Sequence, residues 1–214
     1  MIISQGRNYI FVHIPKTGGT SLALTLEGRA MKDDILIGDT PKARNRRGRL
    51  TGVESAGRLW KHSTLADIEG VVPQAFIAQA FCVTMVRNPW DRMVSYYHWL
   101  REQRFDHPAV QLAKSLAFAP FLTHPHTQET LRRNPYGSYM RMADGTVRAA
   151  LFIRLERFEE DAAPLWEHLG FSLDLPHENA SARAGDYRGF YESHTRSLIE
   201  DLCAEDIARF GYVF

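Results

Sequence analysis

The sequence predicts an α/β fold, a three-layer sandwich in which a central, mainly parallel sheet is flanked by helices. Short runs rich in β-branched and aromatic residues, typical of buried strands, alternate with segments whose apolar residues recur at helical spacing. Parallel strands need a long crossover between them, and these helical segments can provide it. With 214 residues and no internal repeat, the chain is expected to form one domain over residues 1–214.

The first predicted strand covers residues 8–14 and leads into a tight, glycine-containing loop. A helix should follow, and either Thr20 or Ser21 can cap its amino end. Its leucines supply an apolar surface before Gly28 ends the pattern. A strand, a tight loop and a helix are therefore expected in direct succession.

Residues 32–61 show weak periodicity, and the part from 42 to 49 carries five basic residues and no acidic one. This basic segment is predicted to be a mobile loop. Two interpretations stay open for it, a solvated connection or a basic rim that attracts an anionic acceptor. Further on, Thr64 and Asp67 have the spacing of a capping box and predict a short helix.

The rest of the chain continues the alternation of strands and helices. The predicted elements are a strand at residues 80–86, a helix from about Asp91, helical pieces over 108–141, a strand at 149–155, a helix at 158–169 and an amphipathic helix at 193–210 that Gly211 closes.

Composition limits the classes of partner and the cellular location. The formal charge is only +1, which argues against a nucleic-acid-binding protein, because affinity for such polyanions needs many clustered basic residues. No apolar run approaches the roughly 20 residues of a membrane span. Cys82 and Cys203 are the two cysteines, and a structural disulfide is not expected. We therefore expect a cytoplasmic protein without a membrane partner, whose oligomeric state is left open.

The loop after the first strand has the chemistry of an anion site. It consists of Pro15, Lys16, Thr17, Gly18, Gly19, Thr20 and Ser21. Backbone N–H groups and the positive end of a helix gather at such a position, and paired glycines let the backbone approach a ligand closely. Lys16 adds a full charge, and the three hydroxyls add donors. A plain Gly-Gly turn with an exposed lysine is the alternative.

The lysine of this loop precedes the glycines, whereas a Walker A loop ends in Gly-Lys-Ser or Gly-Lys-Thr. The order argues against a site for a nucleoside triphosphate. A kinase would also often place an aspartate for Mg²⁺ at the end of the second strand, where this chain has Arg87. No group of residues shows metal-ligand spacing, so a metal-free reaction is expected.

A second candidate phosphate site follows the second strand. Arg87, at the strand end, and Ser95, in the next helix, can converge on one phosphate through a planar guanidinium and a hydroxyl. Alternatively, Arg87 pairs with a carboxylate and Ser95 is a neutral helix residue. Two phosphate sites at adjacent strand ends suit a ligand that carries phosphates at both ends of a nucleoside.

Both motifs resemble those of the sulfotransferases. Residues 11–21, FVHIPKTGGTS, are similar to the 5′-phosphosulfate loop of that family, most of all in its carbohydrate and heparan-type branch, and residues 87–97 are similar to its 3′-phosphate motif. The resemblance implies a P-loop-like fold and 3′-phosphoadenosine 5′-phosphosulfate (PAPS) as the donor. It also implies that Lys16 contacts the bridging and sulfonate oxygens, while Arg87 and Ser95 hold the 3′-phosphate.

Transfer of a sulfonate needs a base for the acceptor proton, and a histidine has a suitable pKa. His62 lies between the two motifs, where the resemblance implies a general base; spacing alone leaves it equally well as a helix-entry residue. His13 is interpreted as a strand-end residue beside the loop. A weaker resemblance extends towards the carboxyl end, where Arg183 and Arg188 either close over the nucleotide or lie in a solvated loop.

The sequence thus predicts a sulfotransferase that moves a sulfonate from PAPS to a hydroxyl or amine of a small-molecule or saccharide acceptor. Two alternatives from other classes stay open. One is a P-loop nucleotide kinase, and the other is a protein that binds a 3′-phosphonucleotide without catalysis. No motif identifies the acceptor.

Overall fold

The computed structural model describes residues 1–174 and 186–214, which separate into two compact units. The first unit combines residues 1–86 with 136–174, and the second combines residues 87–135 with 186–214. Each unit has its own apolar core. The single domain over residues 1–214 stays a prediction.

The strands of the described residues form one five-stranded sheet in the first unit. They are β1 (Ile2–Ser4), β2 (Tyr9–Val12), β3 (Ile35–Leu36), β4 (Phe81–Val86) and β5 (Leu151–Arg154), in the order β3-β1-β2-β4-β5. β2, β4 and β5 are parallel neighbours, whereas β1 pairs antiparallel with both β2 and β3. The α/β class with a mainly parallel sheet flanked by helices is confirmed.

Twelve α-helices occur in the described residues. They are α1 (Gly19–Gly28), α2 (Pro41–Arg46), α3 (Gln74–Gln79), α4 (Pro89–Glu102), α5 (Pro108–Ser115), α6 (Phe118–Thr123), α7 (Pro125–Arg133), α8 (Tyr136–Tyr139), α9 (Phe158–Asp161), α10 (Ala163–Leu169), α11 (Ser193–Leu202) and α12 (Ala204–Phe210). Three 3₁₀ helices, Arg47–Leu50, Leu155–Arg157 and Tyr187–Phe190, complete this part of the chain. None of the helices described has the length and apolar character needed to traverse a bilayer.

The three longer strands were predicted, whereas β1 and β3 were not. β1 has three residues and β3 has two, which is too short for an alternating pattern to show. β1 returns to β2 through a tight turn in which Asn8 adopts a left-handed φ of 52°. β2 is buried on every residue because packed side chains cover both of its faces.

The core of the first unit lies where α1 and α10 cover the sheet. Leu22 and Leu26 from α1 and Leu165 from α10 are buried in one cluster with Phe11 of β2 and Val83 of β4. Burial of such a side chain contributes roughly 1.5–3 kcal/mol. This packing fixes the start of α1 against the end of β2.

In the second unit, α4 is the central helix. It begins at Pro89 rather than near Asp91, because Asn88 caps it by accepting a hydrogen bond from Trp90 N. Trp90, Val94 and Tyr97 recur at helical spacing and pack into the core of this unit. The helix predicted at residues 193–210 is present but breaks at Cys203 into α11 and α12.

The prediction of a mobile loop at residues 42–49 is wrong. This basic segment forms α2 and the 3₁₀ helix that follows, and the N-cap of α2 is Thr40. Arg46 donates to the backbone carbonyls of Met31 and Asp34 at 2.8 and 3.1 Å. The segment is ordered because its cations bind carbonyls elsewhere in the chain, a contact that periodicity does not report.

The predicted short helix after Thr64 is also wrong. The capping box itself forms, because Thr64 N donates to Asp67 Oδ2 at 2.7 Å and Asp67 N donates to Thr64 Oγ1 at 3.2 Å. It closes a series of turns, and the next helix begins only at Gln74. The local hydrogen bonds were therefore predictable, but their continuation as a helix was not.

Replacing Thr40 by alanine is expected to lower the free energy of unfolding by about 1 kcal/mol, the usual loss for an N-cap. Thr40 Oγ1 accepts from Ala43 N at 3.1 Å and donates to the Glu27 carboxylate at 2.6 Å. Denaturant titration measures the loss, and hydrogen exchange at the Ala43 amide locates it. Thr123→Ala is the control, because Thr123 is exposed and donates to carbonyls of its own helix. Equal losses in both variants would contradict a stabilising cap.

Candidate functional site

The loop from Pro15 to Ser21 joins β2 to α1 within the first unit and has an unusual backbone. Lys16 and Gly18 both adopt left-handed conformations, with φ of 65° and 85°. Gly18 is the N-cap of α1, so the predicted capping by Thr20 or Ser21 is wrong. Left-handed residues alternating with others turn backbone N–H groups towards one concave side, a geometry that binds anions.

Both glycines of the loop are required by close contacts. An ideal Cβ at Gly18 would lie 2.7 Å from Leu155 Cδ1, and one at Gly19 would lie 2.4 Å from His13 Cδ2. Real Cβ atoms do not approach other heavy atoms so closely. The backbone of the loop therefore packs directly on its neighbours, and only glycine permits α1 to begin at this place.

The three hydroxyls of the loop differ in their surroundings. Thr17 is fully buried and donates to the Ile14 carbonyl at 2.9 Å, so it braces the loop. Ser21 is buried, and Thr20 is exposed on the first turn of α1. The first turn of α1 contains no acidic residue, so no carboxylate there offsets the positive electrostatic potential at the amino end of the helix.

The structure brings His62 next to this loop through His13. His62 Nδ1 lies 2.7 Å from the backbone carbonyl of His13, and the two rings meet edge to face at 4.8 Å between centroids. A carbonyl oxygen only accepts, so Nδ1 carries the hydrogen. In a neutral ring the lone pair is then on Nε2, which is the tautomer that a general base needs.

Trp60 completes the surroundings of His62 and was not predicted as a site residue. Its indole packs edge to face against the imidazole, with centroids 5.0 Å apart. Trp60 precedes His62 by two residues. This closeness in the sequence is the one feature from which Trp60 could have been predicted as a neighbour of the candidate base. Together with His13, it restricts the orientation of the candidate base.

His13 is buried and uncharged, and its ring lies between Gly19 and His62. Burial lowers the pKa of His13 well below its usual range, and the neighbouring His62 lowers it further. Its imidazole contacts Gly19 on one side and His62 on the other. The interpretation of His13 as a strand-end residue beside the loop agrees with this position.

The second motif lies in the second unit, at the start of α4. Arg87 Nε and Nη2 donate to Asp91 Oδ2 at 2.8 and 2.5 Å, and both side chains are largely buried. The carboxylate pairing that the sequence left open is thus observed. These two bonds use two of the five N–H donors of a guanidinium, and Asp91 fixes its orientation.

Ser95 is buried on the same face of α4 as Asp91. Residues 91 and 95 are four apart, which places them along one side of α4. Because α4 begins at Pro89, Ser95 is nearly two turns into it, further than the sequence predicted. Asn88 anchors this helix end by donating to the Val213 carbonyl at 2.9 Å.

The sequence leaves open whether Arg183 and Arg188 close over a nucleotide. Arg183 lies outside the described residues. Arg188 is exposed and donates to its neighbour Asp186, with its guanidinium over the Tyr187 ring at 5.1 Å. Within residues 1–174 and 186–214, no group of three His, Cys, Asp or Glu side chains has the arrangement of a metal site.

Comparison with known proteins gives remote likeness to solved structures alone. No family model and no curated protein sequence matches this chain. Among solved structures, that of the mouse sulfotransferase SULT7A1 complexed with PAP is similar at 15% sequence identity and a TM-score of 0.48. The likeness covers 96% of this chain and 85% of that one. At this distance it carries no argument about function.

Gly18→Ala is expected to lower the free energy of unfolding by at least about 1 kcal/mol, because alanine resists a left-handed φ and its Cβ would meet Leu155. Gly28→Ala is the matched control. It lies at the end of α1 with nothing within 4 Å of its ideal Cβ, so it should be neutral or stabilising. Denaturant titration compares the two. A neutral Gly18 variant would show that the loop backbone differs from the one described.

Proposed function

We propose that this protein is a sulfotransferase that moves a sulfonate from PAPS to a hydroxyl or amine of a small-molecule or saccharide acceptor. The observation that carries the proposal is the loop between β2 and α1. Lys16 and Gly18, the N-cap of α1, both have left-handed backbone conformations at the amino end of this helix. That arrangement suits a phosphate group and a sulfonate beside it.

The chain's own residues have separate tasks in this reaction. PAPS, when bound, supplies the sulfonate and leaves as 3′-phosphoadenosine 5′-phosphate (PAP). His62 takes the acceptor proton at Nε2, the position its bond to His13 leaves as the acceptor. Lys16 steadies the negative charge that develops on the departing phosphate oxygen. The N–H groups of the loop hold the 5′-phosphate.

Arg87 and Ser95 are proposed to hold the 3′-phosphate. Asp91 orients the Arg87 guanidinium, and Ser95 lies on the same side of α4. In sequence, Arg87 directly follows β4, the parallel neighbour of β2. Both phosphate motifs thus follow the carboxyl ends of adjacent strands, where ligands of α/β sheets bind.

The kinase alternative is weaker because Lys16 precedes the glycines, while a P-loop lysine follows them. A protein that binds a 3′-phosphonucleotide without catalysis would keep both phosphate sites but would not need the His62 tautomer described above. A cytoplasmic location, a metal-free reaction and the lack of a nucleic-acid partner stay predictions.

PAP is expected to bind the metal-free protein at least about tenfold more tightly than ADP, because only PAP carries the 3′-phosphate. Calorimetric titration with PAP, ADP and ATP measures this preference. Arg87→Ala should abolish it, whereas Arg104→Ala, an exposed arginine of the same unit, should not. Equal affinity for PAP and ADP, or tighter Mg²⁺-dependent binding of ATP, would favour the kinase.

Lys16→Ala and His62→Ala are each expected to lower kcat by about 100-fold or more, because one loses the cation and the other the base. Transfer from radiolabelled PAPS to para-nitrophenol or para-nitrophenyl glucoside is the measurement. His194→Ala, at an exposed histidine of α11, should retain the parent rate. If PAP binds tightly but neither the parent protein nor His62→Ala transfers sulfonate to an acceptor, binding without catalysis is favoured. Transfer at the parent rate in His62→Ala would contradict His62 as the base.

A further inference from the structure

A cleft in the first unit lies beside the candidate base, and none of the roles proposed for donor binding or catalysis involves it. It has a volume of about 490 Å³, and its lining includes Asp39, Arg47, Arg58, Trp60 and Lys61. We call it the basic cleft. Sites for small organic ligands commonly enclose about 300–1,000 Å³, so the basic cleft has room for one small molecule.

The charges of the basic cleft are unbalanced in favour of anions. Three cationic side chains line it, and Asp39 is the carboxylate among its lining residues. Asp39 pairs with Lys61 at 3.2 Å and with Arg47 at 3.8 Å. These side chains are between 36% and 67% exposed, and ion pairs of such exposure are weak, so a ligand anion can compete for the cations.

Arg58 and Trp60 form the most specific part of the lining. The Arg58 guanidinium lies over the indole with its carbon 5.5 Å from the ring centroid. This cation–π contact orients the guanidinium, whose N–H donors lie in its plane and suit a carboxylate. Trp60 is 43% exposed, and its indole offers an apolar surface to a flat ring.

Trp60 also connects the basic cleft to the candidate base. Its indole lines the cleft and packs edge to face against His62 at 5.0 Å. A ring compound bound beside Trp60 is therefore close to the residue proposed to take the acceptor proton. Lys61, the residue between Trp60 and His62, adds a cation on the same wall.

We infer that the basic cleft binds a small ring compound that carries a carboxylate. That this compound is the acceptor, with a hydroxyl on the same ring, rests on the proposed sulfotransferase activity. Arg58 recognises the carboxylate, Trp60 contacts the ring, and Arg47 and Lys61 add attraction at the rim.

Direct binding tests this inference without the donor. para-Hydroxybenzoate and its methyl ester share a phenol ring, and only the former carries a carboxylate at neutral pH. Ligand-observed NMR titration of the full chain should show about tenfold tighter binding of the carboxylate. Arg58→Gln should abolish that preference and Trp60→Ala should weaken the binding of both compounds. Arg44→Gln, an exposed arginine of α2 outside the cleft lining, is the matched control and should retain the preference.

The inference is overturned if the two compounds bind the parent protein equally. It is also overturned if Arg58→Gln and Arg44→Gln show the same preference for the carboxylate over the ester. Calorimetry with PAP on each variant checks that it folds and separates this failure from that of the proposed function. A carboxylate preference in a protein that does not bind PAP supports the cleft and contradicts the sulfotransferase. PAP binding without a carboxylate preference overturns the cleft alone.

Discussion

The candidate site of the first unit depends on how closely the backbone at Gly19 approaches the His13 ring. An ideal Cβ at this position would lie 2.4 Å from His13 Cδ2, so no other residue fits without a shift. The carbonyl of the same His13 bonds to His62 Nδ1 at 2.7 Å. One buried, uncharged histidine therefore sets both where α1 begins and which nitrogen of His62 carries the hydrogen.

In the second unit, an ion pair positions the candidate phosphate-binding arginine. Arg87 at the start of α4 is held by Asp91 one turn later, so its cation is positioned before any ligand arrives. Positioning of this kind reduces the conformational entropy that binding would otherwise lose. Asn88 adds rigidity by capping α4 and donating to the Val213 carbonyl, which joins the helix start to the carboxyl end of the chain.

The basic segment at residues 42–49 illustrates how charge serves structure and recognition together. Lys42, Arg46 and Arg49 donate to backbone carbonyls and order the segment, whereas Arg47 faces the basic cleft. A stretch of like charges is usually solvated or disordered. Here its cations meet carbonyls from residues 27–34, so the segment is ordered and one wall of the cleft is in place.

The sequence by itself determined the α/β class, the three longer strands and the glycine loop, because alternation, turn residues and helical spacing are local properties. It also left open the pairing of Arg87 with a carboxylate, which the structure shows to be that of Asp91. Only the tertiary structure decided the short strands β1 and β3, the order in the basic segment, and the position of His62. His62 meets a carbonyl 49 residues away. Such a contact depends on how the chain folds back on itself, which no local pattern records.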